Sequence, residues 1–540
     1  MIMNVKRAAT ILLLLLLTPL PALCAVTVRN FTTVGAQVVR FDTAGNAIDA
    51  HDGMILQVGA TFYLYGTSYG CGFVWMTTSP FCGFRVYSST DLINWTNLGT
   101  LFDPTTPTWK SRCVTIRPNN CFRPHVIYNA ANNNYVLWIN TSDPGAKGYR
   151  VFTSSGPAGP FKEQAVPDMG NHTVNGDFAL FVDDDRTGYI VYRFWDSGLT
   201  GGLNGELYVR ALTPNYLTVT GSATAIGANV GKGGEAPAMF KKGLTYYISY
   251  TPLCPFCASS LTVYKTASRP LGLWSDHAQI NATSCGGQAS FVSKLTINSA
   301  TVYLYGADLW HDSVPPPSSI PPVVTWEPGR LGLRNQGQAN FFWIPLTFSG
   351  TVINPVICAP TFTAALTAHP PVKDASVDQS SGRDFFQQLC VSGSLDGVHH
   401  RVQTFVPARA GTLKAIRFTT YQGPAPCDAS SCTPPNASLN VDLVTVDGTG
   451  KPSSTLHAAT VAQSTIPWSP TVMTIPMNVP IKSGSVYGIH IYSSTTTGCY
   501  GLAYSDGNAY PAGKEYLSTD SGLTYSLEPS RALKFQDIVP

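Results

Sequence analysis

The chain has 540 residues, of which 12% are charged and 11% aromatic, with 48 glycines and 40 prolines. That length exceeds one ordinary core and predicts two domains, and the composition suits short strands and tight turns better than helices. A net charge of +3 with no lysine or arginine cluster gives no basis for a nucleic-acid partner.

At the N-terminus, Lys6 and Arg7 precede an apolar run over residues 8–17, and small residues end near Ala25. This layout predicts a signal peptide over residues 1–25 and a secreted, extracellular protein. A membrane anchor is the other reading, but the run is short for a span and no second one follows, so no membrane contact is expected after cleavage. Of 13 cysteines, Cys24 lies in the leader, and the even remainder reads as disulfides. Cys71 with Cys82, Cys113 with Cys121, and Cys427 with Cys432 are spaced to staple loops. Cys254 and Cys257 form a CxxC with Cys285 further on, yet neither a second CxxC nor a nearby histidine pair supports zinc.

An aromatic-apolar-aromatic strand then recurs at residues 61–65, 134–138, 188–192, 245–249 and 301–305, spaced about 55 to 75 residues apart, the size of a four-stranded propeller blade with its loops. Each copy follows an apolar strand, at 53–56, 125–128, 179–182, 238–240 and 290–292. Third strands with polar turns and a closing Trp or Phe follow at 86–95, 151–161 and 263–274. The pattern predicts an all-β fold whose first part is a five-bladed β-propeller, with the first strand of each blade lining a central channel.

Three carboxylates open such inner strands. Asp52 stands in blade one, Asp177 in blade three, and Glu235 in blade four between Gly233-Gly234 and Pro237. A Glu turned inward beside Pro, Met and Phe is poorly solvated, so its pKa is expected to rise and make it a proton donor. Strand caps or ligands of channel water remain the simpler reading of such acids.

The segment from about Val39 to Leu346 resembles the five-bladed propeller of glycoside hydrolase family 43, near its exo-β-1,3-galactanase branch. The resemblance rests on Tyr63-Leu64-Tyr65-Gly66, Ser89 to Trp95, Arg123-Pro124-His125, Gly176-Asp177 with Asp183-Asp184-Asp185, Glu235-Ala236-Pro237 and Gly286-Gly287-Gln288. It implies that Asp52 is a general base acting on water, that Asp177 orients and tunes the acid, and that Glu235 is the general acid, in hydrolysis with inversion. The galactanase branch usually lacks the blade-one Asp and uses a blade-five Gln. Here both Asp52 and Gln288 are present, and Phe122 and Thr67 stand where that branch carries glutamates, so the likeness stops short of a β-1,3-galactan substrate.

Gln288, His51, Arg123, His125, Phe122 and Trp310 are the substrate-contact candidates, with Trp195, Asp308 and His311 also placed to face the channel. Trp75 and Trp109, in Cys-bearing loops, are expected at the rim. No cofactor or catalytic metal is implied, although an oxygen-lined channel could hold a structural Ca2+.

Past residue 353 the blade pattern ends. Residues 354–383 read as a linker between a catalytic domain at 26–353 and a second domain at 384–540. In the latter, period-two strands at 413–418, 439–446, 472–477 and 486–492 predict a jelly-roll-type β-sandwich. Tyr500, Tyr504, Tyr510 and Tyr516 could form a sugar-stacking surface on it, or the sandwich could be purely structural. The expectation is a monomeric glycosidase acting on arabinose-, xylose- or galactose-containing side chains of a polysaccharide. The alternative is a secreted propeller that binds carbohydrate without turning it over.

Overall fold

The computed structural model describes residues 25–32, 37–73, 79–113, 121–143, 145–195, 205–229, 233–252, 260–310, 336–381, 386–387, 395–423, 433–505, 507 and 509–540. Cys427, Cys432, Cys254, Cys257, Trp75, His311 and the leader segment 1–24 lie outside them.

Five antiparallel sheets follow one another along the chain. Blade one is built from His51–Val58, Thr61–Thr67, Phe84–Ser89 and Thr96–Thr100, and blade two from Cys121–Asn129, Asn134–Thr141, Tyr149–Ser154 and Lys162–Ala165. Blade three uses Asn175–Val182, Gly188–Trp195, Gly205–Leu212 and Val219–Ala225; blade four uses Gly234–Lys242, Thr245–Pro252, Thr262–Ala267 and Ala278–Asn281. In blade five, Gln288–Ile297, Ala300–Leu309 and Asn340–Pro345 form a three-stranded sheet. Each recurrent aromatic segment is the second strand of its blade, because its bulky residues face neighbouring sheets on both sides: Tyr65, Trp138, Tyr192, Tyr247 and Tyr305 are all fully buried.

All five inner strands carry the same irregularity near their start. Register with the second strand slips by one residue between His51 and Met54, Phe122 and His125, Asn175 and Phe178, Glu235 and Ala238, and Ala289 and Phe291. Such a bulge bends the strand and re-aims one side chain toward the axis. In blade one it requires Gly53, since a Cβ there would lie 1.8 Å from the Tyr65 carbonyl oxygen.

The second domain is a β-sandwich. One sheet holds Val377–Ser380, Phe535–Ile538, Gly411–Gly423, Cys499–Ser505 and Phe386–Gln387, with Thr471–Ile481 and Ala532–Leu533 paired alongside. The facing sheet holds Pro452–Val461, Leu439–Val446, Tyr487–Ser493, His400–Phe405, Glu515–Ser518 and Ser526–Glu528. Their inner faces enclose Phe405, Leu413, Ile416, Leu443, Ile489 and Phe535. The segment expected as a linker contributes two strands: Thr361–Ala364 pairs with Val26–Arg29 beside blades one and five, and Val377–Ser380 belongs to the sandwich.

Among the described residues, three disulfides staple the propeller. Cys71–Cys82 and Cys113–Cys121 close short loops, and Cys285 joins Cys358 across 73 residues.

Candidate active site

The bulges bring the inner-strand starts together. Asp52, Arg123 and Ala236 occupy corresponding bulge positions of three blades, and each has a left-handed backbone, with φ of 52°, 53° and 48°. Non-glycine residues pay about 1–2 kcal/mol for that conformation, and such strain collects where function demands a particular aim. The three acids are therefore not equivalent along their strands. Glu235 is the residue before its bulge, Asp52 is the first residue of its bulge, and Asp177 is the second. The offset points them inward from different heights.

Arg123 lies among them. Its Nε donates to Asp177 Oδ2 at 2.9 Å, and Asp177, Asp52, Glu235 and Asp308 all act on its charge. Burial works against the guanidinium, but the four carboxylates outweigh it and hold its pKa above the ordinary value. Asp177 Oδ2 also accepts the Ala236 backbone N–H at 2.9 Å, which ties blade three to the residue after Glu235. Each oxygen of Glu235 has its own donor: Arg193 Nη1 to Oε1 at 2.9 Å, and Gln288 Nε2 to Oε2 at 3.3 Å. The groups found on the Glu235 carboxyl are thus a guanidinium and an amide, where an apolar wall was expected. Arg193 is itself buried, with its Cζ 3.6 Å from the Trp195 ring centroid.

Asp52 is 6% exposed and accepts a hydrogen bond from Tyr69 Oη, while its backbone N–H donates to Asp308 Oδ2 at 3.0 Å. Burial raises its carboxyl to about 6; Asp308 adds to the rise, and Arg123, Tyr69 and His51 oppose it. Asp308 also accepts from Ser290 Oγ at 2.6 Å and faces His51 Nδ1 at 3.2 Å. For His51, burial favours the neutral ring, yet Asp308, Asp49 and Asp52 together raise its pKa above the ordinary value.

Several expected substrate contacts lie behind this layer. His51 is fully buried and stacks on Phe341 at 4.9 Å between centroids, so it supports Asp308 and Asp52 and does not line the channel. Trp310, 1% exposed, packs edge-on to Tyr69 at 6.0 Å and is core. His125 is 3% exposed and beside Phe178, neither ring nitrogen has a hydrogen-bond partner among the described residues, and burial followed by Arg123 lowers its pKa to about 3. Phe122 is half-buried against Phe73 and Tyr69. Trp109 packs on Phe102 and Phe152 in the core and is not at the rim. In the sandwich, Tyr500 and Tyr510 are buried, Tyr504 has the Arg531 guanidinium over its ring, and Tyr516 is half-buried, so the four do not form one exposed ring surface.

Tyr69 and Arg193 are the residues that sequence reasoning missed. Arg193 had a visible signal, a lone cation in the apolar strand Gly188–Trp195. Tyr69 had none, since it follows its strand in a loop. Among the described residues no group of three or more His, Cys, Asp or Glu is arranged to hold a metal ion.

Fold and site together define a five-bladed propeller whose inner strands converge carboxylates on a buried guanidinium. Residues 46–313 match the family model of glycosyl hydrolases family 43, and through this propeller the chain belongs to glycoside hydrolase family 43. It is 25% identical over 197 residues to a β-D-galactofuranosidase of Aspergillus niger, covering 36% of this chain and 55% of that protein. It is 30% identical over 192 residues to an arabinoxylan arabinofuranohydrolase of Paenibacillus polymyxa, covering 31% and 28%. The chain thus spans about half or less of these relatives. A solved exo-β-1,3-galactanase from Phanerochaete chrysosporium aligns over 88% of this chain and 99% of its own, at 20% identity and a TM-score of 0.47.

Proposed function

We propose that the protein is a glycoside hydrolase that removes arabinose-, xylose- or galactose-containing side chains from a polysaccharide with inversion. Asp52 takes a proton from water as the water oxygen bonds to the anomeric carbon, and Glu235 gives its proton to the leaving glycosidic oxygen. Asp177 orients the acid through Arg123 and the Ala236 N–H, while Gln288 and Arg193 hold the Glu235 carboxyl. The observation that carries this reading is the convergence of three acids, from three blades, around Arg123. A carboxyl near pH 6 suits Asp52 to its task, because it is ionised at neutral pH and still basic enough to accept a proton. In this reading the propeller is the catalytic domain and the sandwich an accessory one.

In this reading a furanose sugar comes first among the candidates, a preference supported by the names of the two relatives. Export is part of the proposal and is supported by the disulfides. Among the described residues no helix is long and apolar enough to cross a membrane.

The test is hydrolysis of a panel of p-nitrophenyl glycosides with arabinan, xylan and β-1,3-galactan, comparing wild type with Glu235→Gln and Asp52→Asn. Turnover of one substrate, lost in both variants, is the expected result. Binding of a glycan without turnover by wild type would establish a carbohydrate-binding propeller instead.

A further inference from the structure

Behind the channel, one histidine is held between two buried carboxylates. His51 Nδ1 faces Asp308 Oδ1 at 3.2 Å and its Nε2 faces Asp49 Oδ1 at 3.7 Å, and all three side chains are buried. The Phe341 and Tyr69 rings lie nearly parallel to the imidazole, at 4.9 and 5.6 Å between centroids. Neither carboxylate can lean on bulk water, and each is supplied with donors instead. Asp49 accepts from Ser68 Oγ and from the Tyr69 and Gly70 N–H groups at 2.8 and 2.9 Å. Asp308 accepts from Ser290 Oγ at 2.6 Å and from the Asp52 N–H at 3.0 Å. A carboxyl group that only accepts is an ionised one, and two such anions flanking one imidazole favour its doubly protonated form, whose two N–H donors match the two oxygens.

Both arms of this chain end on Asp52. Through its N–H, Asp308 Oδ2 pins Asp52 in the left-handed conformation, φ 52°. Asp49 fixes the backbone of Tyr69, whose hydroxyl donates to the Asp52 carboxyl. Asp52 is thus aimed from its backbone and from its carboxyl by two groups that share one cation. The charges facing Asp52 are Arg123 from blade two, Asp308 from blade five and His51 from its own strand, with the Tyr69 hydroxyl beside them. Those facing His51 are Asp308, Asp49 and Asp52; burial, the largest influence, favours the neutral ring, and the three carboxylates together outweigh it.

We propose that Asp49, His51 and Asp308 form a positioning chain for the base: His51 is a buried, protonated cation that holds the two carboxylates, and they in turn hold the Asp52 backbone and the Tyr69 hydroxyl. The chain's part in the reaction rests on Asp52 acting as the base, as proposed above; its action on the Asp52 carboxyl does not. Charge separates this role from packing. A histidine that only filled space could give way to a neutral side chain without moving the titration of Asp52.

Two substitutions test it with opposite signs. His51→Asn can keep a donor on Asp308 while removing the positive charge. Asp308→Asn keeps the shape and an acceptor for the Asp52 N–H while removing a negative one. The Asp52 titration is read in two ways: by carbon NMR of the full chain labelled at its aspartate carboxyls, with the signal assigned by its absence in Asp52→Asn, and by the acid limb of kcat/KM on a chromogenic glycoside. The expected result is a midpoint that rises by about one pH unit in His51→Asn and falls in Asp308→Asn. Asp308 acts on Asp52 more strongly than His51 does, so the fall survives even where His51 loses its proton along with its partner. Circular dichroism checks folding, and if His51→Asn does not fold, the near-isosteric Asp308→Asn decides alone. A midpoint by NMR that stays at its wild-type place in folded protein, or that moves the same way in both variants, overturns the proposal. An NMR midpoint that moves as expected while the acid limb stays in place overturns Asp52 as the base and leaves the action of the chain on its carboxyl standing.

Discussion

Removing one hydroxyl gives a sharp test of Asp52 as base. Tyr69 donates to Asp52 Oδ2 and favours its ionised form, while the Tyr69 ring packs against Phe73, His51 and Trp310 at centroid distances of 4.7, 5.6 and 6.0 Å. Tyr69→Phe keeps that packing and deletes only the donor. A hydrogen bond to a charged group contributes about 1.5–3 kcal/mol, and one pKa unit corresponds to about 1.4 kcal/mol, so the Asp52 carboxyl rises by about one to two units. A base must be ionised to act, so the acid limb of kcat/KM reports its pKa in the free enzyme. That limb is predicted near pH 6 in wild type, and near pH 7–8 in Tyr69→Phe by the same increment. The assay is kcat/KM on one chromogenic glycoside between pH 4 and pH 9, with folding checked by circular dichroism. An acid limb that stays in place or moves down would refute Asp52 as the titrating base.

Three further predictions follow from particular contacts. Asp52 has a folded-state pKa of about 6 against an ordinary 3.8, so its ionisation opposes folding increasingly as pH rises from about 4 to 6. Asp52→Asn, which suits the positive φ and can still accept from Tyr69, is therefore expected to stabilise the fold at pH 7 by on the order of 2–3 kcal/mol, with the gain vanishing below about pH 4 in urea titrations; equal stability at both pH values would contradict this. His125, held neutral above about pH 3, contributes no step to the activity profile, so His125→Phe should leave the acid limb where it is, even if kcat falls. Removing the Cys285–Cys358 bridge by a double Ser substitution should cost about 2–5 kcal/mol, since it closes a long loop that contains all of blade five; a change under about 1 kcal/mol in chemical denaturation would count against a structural role.

The repeat was legible because a propeller blade asks the same thing of its second strand each time. Large apolar and aromatic residues must face both neighbours there, and Tyr65, Trp138, Tyr192, Tyr247 and Tyr305 satisfy that demand in plain sequence. The acids could be found by their place just upstream of those strands, but their offsets could not. The bulge is a property of pairing register, and only pairing shows that Glu235 precedes it while Asp177 sits within it. Tyr69 and Arg193 reach the site from a loop and from the end of a second strand, so their role depends on closure of the ring. The misread aromatics share one cause. In a chain so rich in rings, Trp310, Trp109, Tyr500 and Tyr510 fill core positions, and burial cannot be told from display by residue type.

The central claim is the division of labour between Glu235 and Asp52, and leaving-group dependence tests it most directly. A dinitrophenyl glycoside departs without protonation, whereas a sugar leaving group needs the acid. The account predicts that Glu235→Gln retains most activity on the dinitrophenyl glycoside and loses it on the polysaccharide, that Asp52→Asn loses both, and that proton NMR of the wild-type reaction shows the released sugar with inverted anomeric configuration. Equal losses on both substrates in Glu235→Gln, or a product of retained configuration, would contradict it.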